Sequence, residues 1–101
     1  NAIVHMNLGM LLGEMDRSQE AKASFIQSYR LDPNNPQPAY NLGVIYAETN
    51  PDASLAWCKK AYELAPQDGK YGFTYAFYLA RRVATSRFTW ASTKPGVRMG
   101  V

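Results

Sequence analysis

Side chains suited to acid–base, nucleophilic or metal chemistry are few in this sequence. His5 is the single histidine and Cys58 the single cysteine among 101 residues. Neither has the companion ligands that a zinc site needs, and one cysteine cannot form a disulfide within the chain. The sequence also shows no serine–histidine–aspartate pattern and no glycine-rich phosphate loop. We therefore expect no enzyme activity, no catalytic residue, no metal site and no cofactor.

Charge is distributed unevenly along the chain, whose formal net charge is +3. All eight acids lie within residues 1–68, whereas residues 69–101 carry bases and no acid. The basic character thus belongs to the C-terminal third, and we expect no nucleic-acid binding by the chain as a whole. The alternative is an enzyme or nucleic-acid binder that uses this basic end, whose nucleic-acid binding would fall sharply with salt.

Length and hydropathy favour one small domain. No apolar run approaches the 18 or so residues of a membrane-spanning helix, so we expect no membrane insertion. The N-terminus lacks a basic-then-apolar signal region, and it begins with Asn rather than Met, which indicates a fragment or a processed product. The absence of disulfides slightly favours a cytoplasmic location, which is otherwise unknown.

The elements that position the polar side chains are helices of about three turns joined by short polar loops. Residues 2–14 are apolar almost all round, and residues 19–31 have apolar positions at helical spacing. Ser18 or Asp16 is a plausible N-cap of that second helix, and Pro36 suits the start of the third. The remaining predicted helices cover residues 36–48, 53–65 and about 69–82.

An internal repeat organises these helices. The tripeptide Asn-Leu-Gly begins at Asn7 and occurs again at Asn41, 34 residues later. A Tyr-x-Leu-x-Pro motif at 29–33 returns at 62–66, with an offset of 33. One residue has been lost between positions 46 and 54, where a loop tolerates the loss more easily than a packed helix would.

The period, the Leu-Gly pairs and the terminal prolines resemble the tetratricopeptide repeat. The Leu-Gly pairs are Leu8-Gly9 and Leu42-Gly43, and the prolines are Pro33 and Pro66. The position that holds Trp in the family pattern is occupied here by His5, Ala39 and Gly72. The resemblance covers units at about 2–35 and 36–68 and a partial unit at 69–82. It implies an all-α α-solenoid of antiparallel helix pairs, with a repeat domain over residues 1–82.

Small residues recur where such helices would cross, at Gly9, Gly43 and Ala76. Glycine costs about 1 kcal/mol of helix propensity relative to alanine, so it is favoured only where a neighbouring helix comes close. The resemblance places His5 at a core position and Cys58 where Phe25 lies one unit earlier. We therefore predict that His5 packs in the core and that Cys58 is a buried, unreactive thiol, with a thiolate activated by the two following lysines as the alternative.

The first helix of each pair lines a concave surface, which in the family commonly binds peptides or extended segments of partner proteins. The residues predicted to line it are Met6, Asn7, Met10, Gln37, Tyr40, Asn41, Val44, Lys70, Phe73, Thr74, Phe77 and Arg81. Asn7 and Asn41 have amides that suit a partner backbone, although asparagine is also common at this place in the family. Lys70 and Arg81 would attract an acidic group.

Two alternatives to this peptide-binding role exist for the same residues. The methionines and phenylalanines of the predicted surface have the spacing of ordinary inter-helix packing. Some family members also bind a partner's C-terminal carboxylate with a cluster of Lys, Asn and Arg. Only Asn41 and Lys70 match that cluster, whereas Met6, Met10 and Thr74 replace its other members, so we do not expect this type of binding.

The resemblance implies a protein–protein interaction scaffold that binds a partner peptide or segment in its groove. The alternative is a structural module that self-associates, because an incomplete third unit would leave Tyr75, Tyr78 and Leu79 partly uncovered. A homo-oligomer is therefore a possible assembly.

Residues 83–101 do not continue the repeat pattern. They contain no acid, are rich in β-branched residues and include Pro95-Gly96. Three accounts remain open: a non-helical tail packed on the last helix, a disordered end, and sequence foreign to the natural repeat. Phe88 and Trp90 favour a packing role.

Overall fold

Five α-helices form the part of the chain that the structure describes. The structure is a computed structural model that describes the backbone of residues 1–93 and the side chains of residues 1–85. The helices are α1 (Ala2–Glu14), α2 (Ser18–Leu31), α3 (Pro36–Tyr46), α4 (Pro51–Leu64) and α5 (Gly69–Thr93). The pairs α1–α2 and α3–α4 stack through α2 and α3, and α5 packs on α4. This arrangement confirms the predicted all-α solenoid.

Asparagine side chains begin three of the helices. Asn1 caps α1, and the Oδ1 of Asn35 accepts a hydrogen bond from the backbone N–H of Gln37 at 3.0 Å. Asn50 caps α4 in the same way, and a proline follows at the first position of both α3 and α4. The start that we predicted for the third helix at Pro36 is thus confirmed.

The predicted cap of α2 is wrong. Arg17 occupies the N-cap, and its side chain makes no capping hydrogen bond. Asp16 instead has a φ of 64°, because it forms the turn that ends α1, and Ser18 is already the first helical residue. The guanidinium of Arg17 pairs with the carboxylate of Glu20 at 2.8 Å.

The repeated glycines lie where the helices of a pair come closest. A Cβ atom at Gly9 would lie 2.6 Å from Cε1 of Phe25. At Gly43 it would lie 3.2 Å from the backbone nitrogen of Cys58 and 3.3 Å from the carbonyl oxygen of Ser54. The helix crossings predicted at Gly9 and Gly43 are therefore confirmed, whereas the crossing predicted at Ala76 is wrong. Ala76 is exposed because no helix in the described chain crosses α5 there.

Two apolar clusters hold the stack together. Leu12, Ala21, Phe25 and Leu42 join the first pair to α3. Ala39, Ala61, Ala65 and Tyr71 join the second pair to α5. This division follows the repeat, because one helix pair cannot bury both of its apolar faces by itself.

Cys58 and His5, the single cysteine and the single histidine, differ in burial. Cys58 is buried against Gly43, in the place that Phe25 occupies against Gly9. Burial raises the pKa of its thiol, and a hydrogen bond with Ser54 partly opposes that rise. The thiol is therefore protonated near neutral pH, as expected of an unreactive cysteine. His5 is only partly buried.

Helix α5 is longer than the sequence predicted. It continues from Gly69 to Thr93 instead of ending near residue 82, because no Gly or Pro interrupts residues 73–94. Residues 83–93 are therefore helical, which rules out a non-helical tail for that stretch. The side chains of Phe88 and Trp90, and residues 94–101, lie outside what the structure describes. The domain boundary at residue 82 stays a prediction.

Candidate peptide-binding groove

The first helices of the units, α1, α3 and α5, form a surface with two open cavities. One, of about 340 Å³, lies between α1 and α3, and the other, of about 240 Å³, lies between α3 and α5. Tyr40 and Val44 on α3 line both cavities. The two cavities therefore share a wall, and we call the surface that they form together the groove.

Seven of the twelve predicted site residues line the groove. They are Met10, Tyr40, Asn41, Val44, Phe73, Thr74 and Phe77. Helical geometry explains this agreement, because positions three and four apart on one helix face the same side.

Met6 and Asn7 do not line either cavity. Met6 is partly buried and packs against the cluster around Phe25 and Leu42. Its side chain therefore supports the packing alternative. Asn7 is exposed on α1, outside both cavities.

Aromatic rings form the α5 wall of the groove. The rings of Phe73 and Phe77 stack with centroids 6.4 Å apart, and Tyr78 meets Phe77 edge-on at 5.3 Å. Phe73 is 73% exposed and Phe77 is also exposed. The described chain thus leaves these two phenylalanines open to solvent, whereas the packing alternative would bury them.

Lys70 lies at the rim of the groove, at the start of α5. Its Nζ is 5.0 Å from the ring centroid of Tyr40 and 4.9 Å from that of Tyr71. The same ammonium is 3.5 Å from Oε1 of Gln37, which also accepts a hydrogen bond from the Tyr71 hydroxyl at 3.2 Å. Gln37 in turn donates to Oδ1 of Asn41 at 3.4 Å. These contacts hold the ammonium beside the groove.

Asn41 has a buried donor in the wall of the α1–α3 cavity. Its Oδ1 is occupied by Gln37, whereas its Nδ2 is buried and has no hydrogen-bond partner in the described chain. A buried donor without a partner is costly, and an incoming carbonyl oxygen would remove that cost. The two recurring asparagines therefore differ, because only Asn41 lies in a cavity wall.

Arg81 and Thr74 use their polar groups within the chain. Arg81 pairs with Glu48 at 3.3 Å and lines a separate crevice beside α4, together with Arg82. The hydroxyl of Thr74 donates to the backbone carbonyl of Lys70 at 2.8 Å. Glu20 likewise pairs with Arg17, and both carboxylates remain exposed to solvent.

Six lining residues were missed by the sequence analysis. They are Gly9, Gly13, Glu14, Phe25, Ile45 and Tyr78. Helical spacing contained the signal for two of them, because Gly13 and Glu14 lie three and four residues after Met10. Tyr78 is half-covered beside Phe77, and burial is the main cause of its raised pKa, so its hydroxyl stays neutral.

The described residues do not include any group of three His, Cys, Asp or Glu side chains able to hold a metal ion. Among the helices that the structure describes, none has the length and apolar character needed to cross a bilayer.

The first helix pair matches a known protein family. Residues 2–35 match the family model of the tetratricopeptide repeat. No curated protein matches the chain. Repeats of this family generally mediate protein–protein interaction and are typically non-catalytic scaffolds. The matched residues are the α1–α2 pair, and the same helix-pair architecture, with its crossing glycine, returns in α3–α4. Residues 2–35 are therefore similar to a tetratricopeptide repeat, and the α3–α4 pair has the same architecture.

Proposed function

We propose that the groove binds an extended segment of a partner protein. The observation that carries this proposal is the continuity of the two cavities through Tyr40 and Val44. A segment laid across α1, α3 and α5 would bury the exposed side chains of Met10, Val44 and Phe73 together. Burial of such apolar area is the main favourable contribution to association.

The contacts divide into apolar and polar parts. Met10 and the phenylalanines of α5 supply apolar area on either side of α3, and Met10 adapts readily to different partners because its side chain is unbranched. The Nδ2 of Asn41 would donate a hydrogen bond to a partner carbonyl between them. Gln37 and Lys70 would contribute at the rim, whereas Met6, Asn7 and Arg81 lie outside the contact set that we propose.

The test uses peptides selected from a random library on the immobilised chain. The variant carries Met10→Glu and Phe77→Glu together, which places one charge in each cavity. The control carries Met15→Glu and Leu31→Glu, two exposed apolar positions that line neither cavity. We expect the groove variant to lose binding at least about tenfold and the control to retain it. Equal binding by both, with helical circular dichroism unchanged, would contradict the proposal.

A second candidate function is self-association through the outer face of α5. Ala76 and Leu79 are exposed there, although the equivalent residues Gly9 and Leu12 are buried under α2. Tyr75 is partly covered because its ring stacks on that of Tyr62 at 6.1 Å. Sedimentation across a wide concentration range tests this function: it predicts a dimer that Leu79→Glu dissociates. A monomer at every concentration would eliminate it.

A further inference from the structure

The α3–α5 cavity has the size and lining of a subsite for one large apolar side chain. Its volume of about 240 Å³ lies below the 300 to 1,000 Å³ of typical pockets for whole small molecules. Its aromatic wall is already arranged, because Phe73, Phe77 and Tyr78 contact one another in the free protein. Rigid rings lose little conformational entropy on binding, so this cavity is suited to act as an anchor.

The rim of that cavity carries a positive charge that no acid among the described residues neutralises. Arg17, Arg81 and Arg82 each pair with a carboxylate, whereas Lys70 pairs with none among the described residues. Its ammonium lies over Tyr40, whose ring also lines the cavity. A carboxylate next to the anchored side chain would therefore meet this ammonium.

The opposite end of the groove carries a negative charge. Glu14 lines the α1–α3 cavity together with Met10. Within the described side chains, no lysine or arginine pairs with Glu14, and the nearby Arg17 is engaged by Glu20. A basic side chain in a bound segment would be complementary to this end.

The distance between the two charged ends sets the length of the segment. Two spacings between packed helices amount to roughly 16 to 20 Å. The two charges are farther apart than this, because α1 and α5 do not pack closely on α3, and because Glu14 ends α1 whereas Lys70 begins α5. An extended chain advances about 3.3 Å per residue, so the segment needs at least about six residues.

We infer that the groove selects an extended segment of at least about six residues that has opposite charges at its two ends. A carboxylate side chain and a large apolar neighbour occupy the α5 end, beside Lys70 and Phe77. A basic side chain lies at the α1 end, beside Glu14. This inference rests on the proposed function and deepens it by defining the chemistry of the partner.

The experiment titrates the chain with synthetic peptides whose two termini are blocked, followed by NMR, which detects weak binding. The charged probe is Asp-Phe-Ala-Thr-Leu-Lys, and the neutral probe replaces its end residues with Asn and Gln. We expect the charged probe to bind about five- to tenfold more tightly at low salt, because each exposed pair contributes up to about a factor of five. The difference should shrink at high salt.

Variants of the chain locate the effect. Lys70→Glu should abolish the advantage of the charged probe, whereas Lys59→Glu, an exposed change on α4, should leave it intact. The double variant Glu14→Lys with Lys70→Glu should prefer a probe whose Asp and Lys are exchanged.

Two results would overturn the inference. One is equal binding of the charged and neutral probes. The other is binding of the charged probe only when its C-terminus is a free carboxylate, because a chain end would then be recognised instead of a side chain. Either result leaves the proposed function standing if library-selected peptides still respond to Met10→Glu with Phe77→Glu. Loss of that response means that the proposed function itself has failed.

Discussion

Cys58 packs directly on Gly43, in the place where Phe25 packs on Gly9 one repeat earlier. The two residues differ greatly in size, yet the helix crossing survives because a glycine faces each of them. A side chain at Gly43 would meet backbone atoms of α4, which cannot move aside as a flexible side chain can. This crossing is therefore sensitive to any enlargement of Gly43.

Gly43→Ala should lower the free energy of unfolding by about 1 to 3 kcal/mol, the usual cost of overpacking a well-packed core. Gly13→Ala is the matched control, because a Cβ atom there would have no neighbour within 4 Å. The control should be neutral or stabilising by up to about 1 kcal/mol, since alanine has the higher helix propensity. Urea unfolding of the two variants measures the difference, and equal effects would argue against a close crossing.

Stacking of the repeats predicts a contrast between two equivalent leucines. Leu42 is fully buried beneath the first helix pair, whereas Leu8 is 44% exposed. Leu42→Ala should cost about 2 to 5 kcal/mol of unfolding free energy, and Leu8→Ala less than about 1 kcal/mol. Thermal or urea unfolding of the two variants tests this. Similar losses would show that the α2–α3 interface is not the one described.

The burial of Cys58 predicts a pH dependence of stability. Burial raises the pKa of the folded thiol, so the unfolded thiol loses its proton first as the pH rises. The unfolded state then binds fewer protons, and the free energy of unfolding falls from about pH 8.5 upward. Below that pH, Cys58 does not make the free energy of unfolding depend on pH.

Cys58→Ala is the control, because it removes the titrating thiol. Urea unfolding at pH 7.5 and pH 9.5 should show a larger loss of stability in the natural sequence than in Cys58→Ala. The upper limit avoids Tyr78, whose pKa is raised above its usual value near 10. Parallel pH profiles for the two proteins would refute the assignment.

Accessibility of the same thiol gives an independent prediction. A thiol reagent at pH 8 should modify Cys58 far more slowly in the folded protein than in urea, because the reactive thiolate is both buried and disfavoured. Rapid modification without denaturant would support the alternative of a thiolate activated by the neighbouring lysines.

The sequence was sufficient wherever the information is local or periodic. The 34-residue return of Leu-Gly located the crossings at Gly9 and Gly43, because a costly glycine inside a helix needs a packing reason. Helical spacing likewise placed Met10 and Phe77 in the cavity walls.

The sequence failed wherever tertiary partners decide the outcome. Arg81 has the helical spacing of a groove residue. Its guanidinium instead pairs with Glu48 in the α3–α4 turn, and its side chain lines another crevice. Met6 also has the helical spacing of a groove residue, but its side chain packs against the first apolar cluster. The absence of a turn after Arg82 was visible in the sequence, yet the extension of α5 was not inferred from it.

The most direct test of the groove follows methionine and valine methyl signals by NMR while a library-selected peptide is added. Met10 and Met15 are matched probes on the same part of the chain, 46% and 53% exposed, but only Met10 lines a cavity. Binding in the groove predicts that the signals of Met10 and Val44 shift together in proportion to occupancy, while that of Met15 stays unchanged. Shifts at Met15 with Met10 and Val44 unmoved would contradict the account.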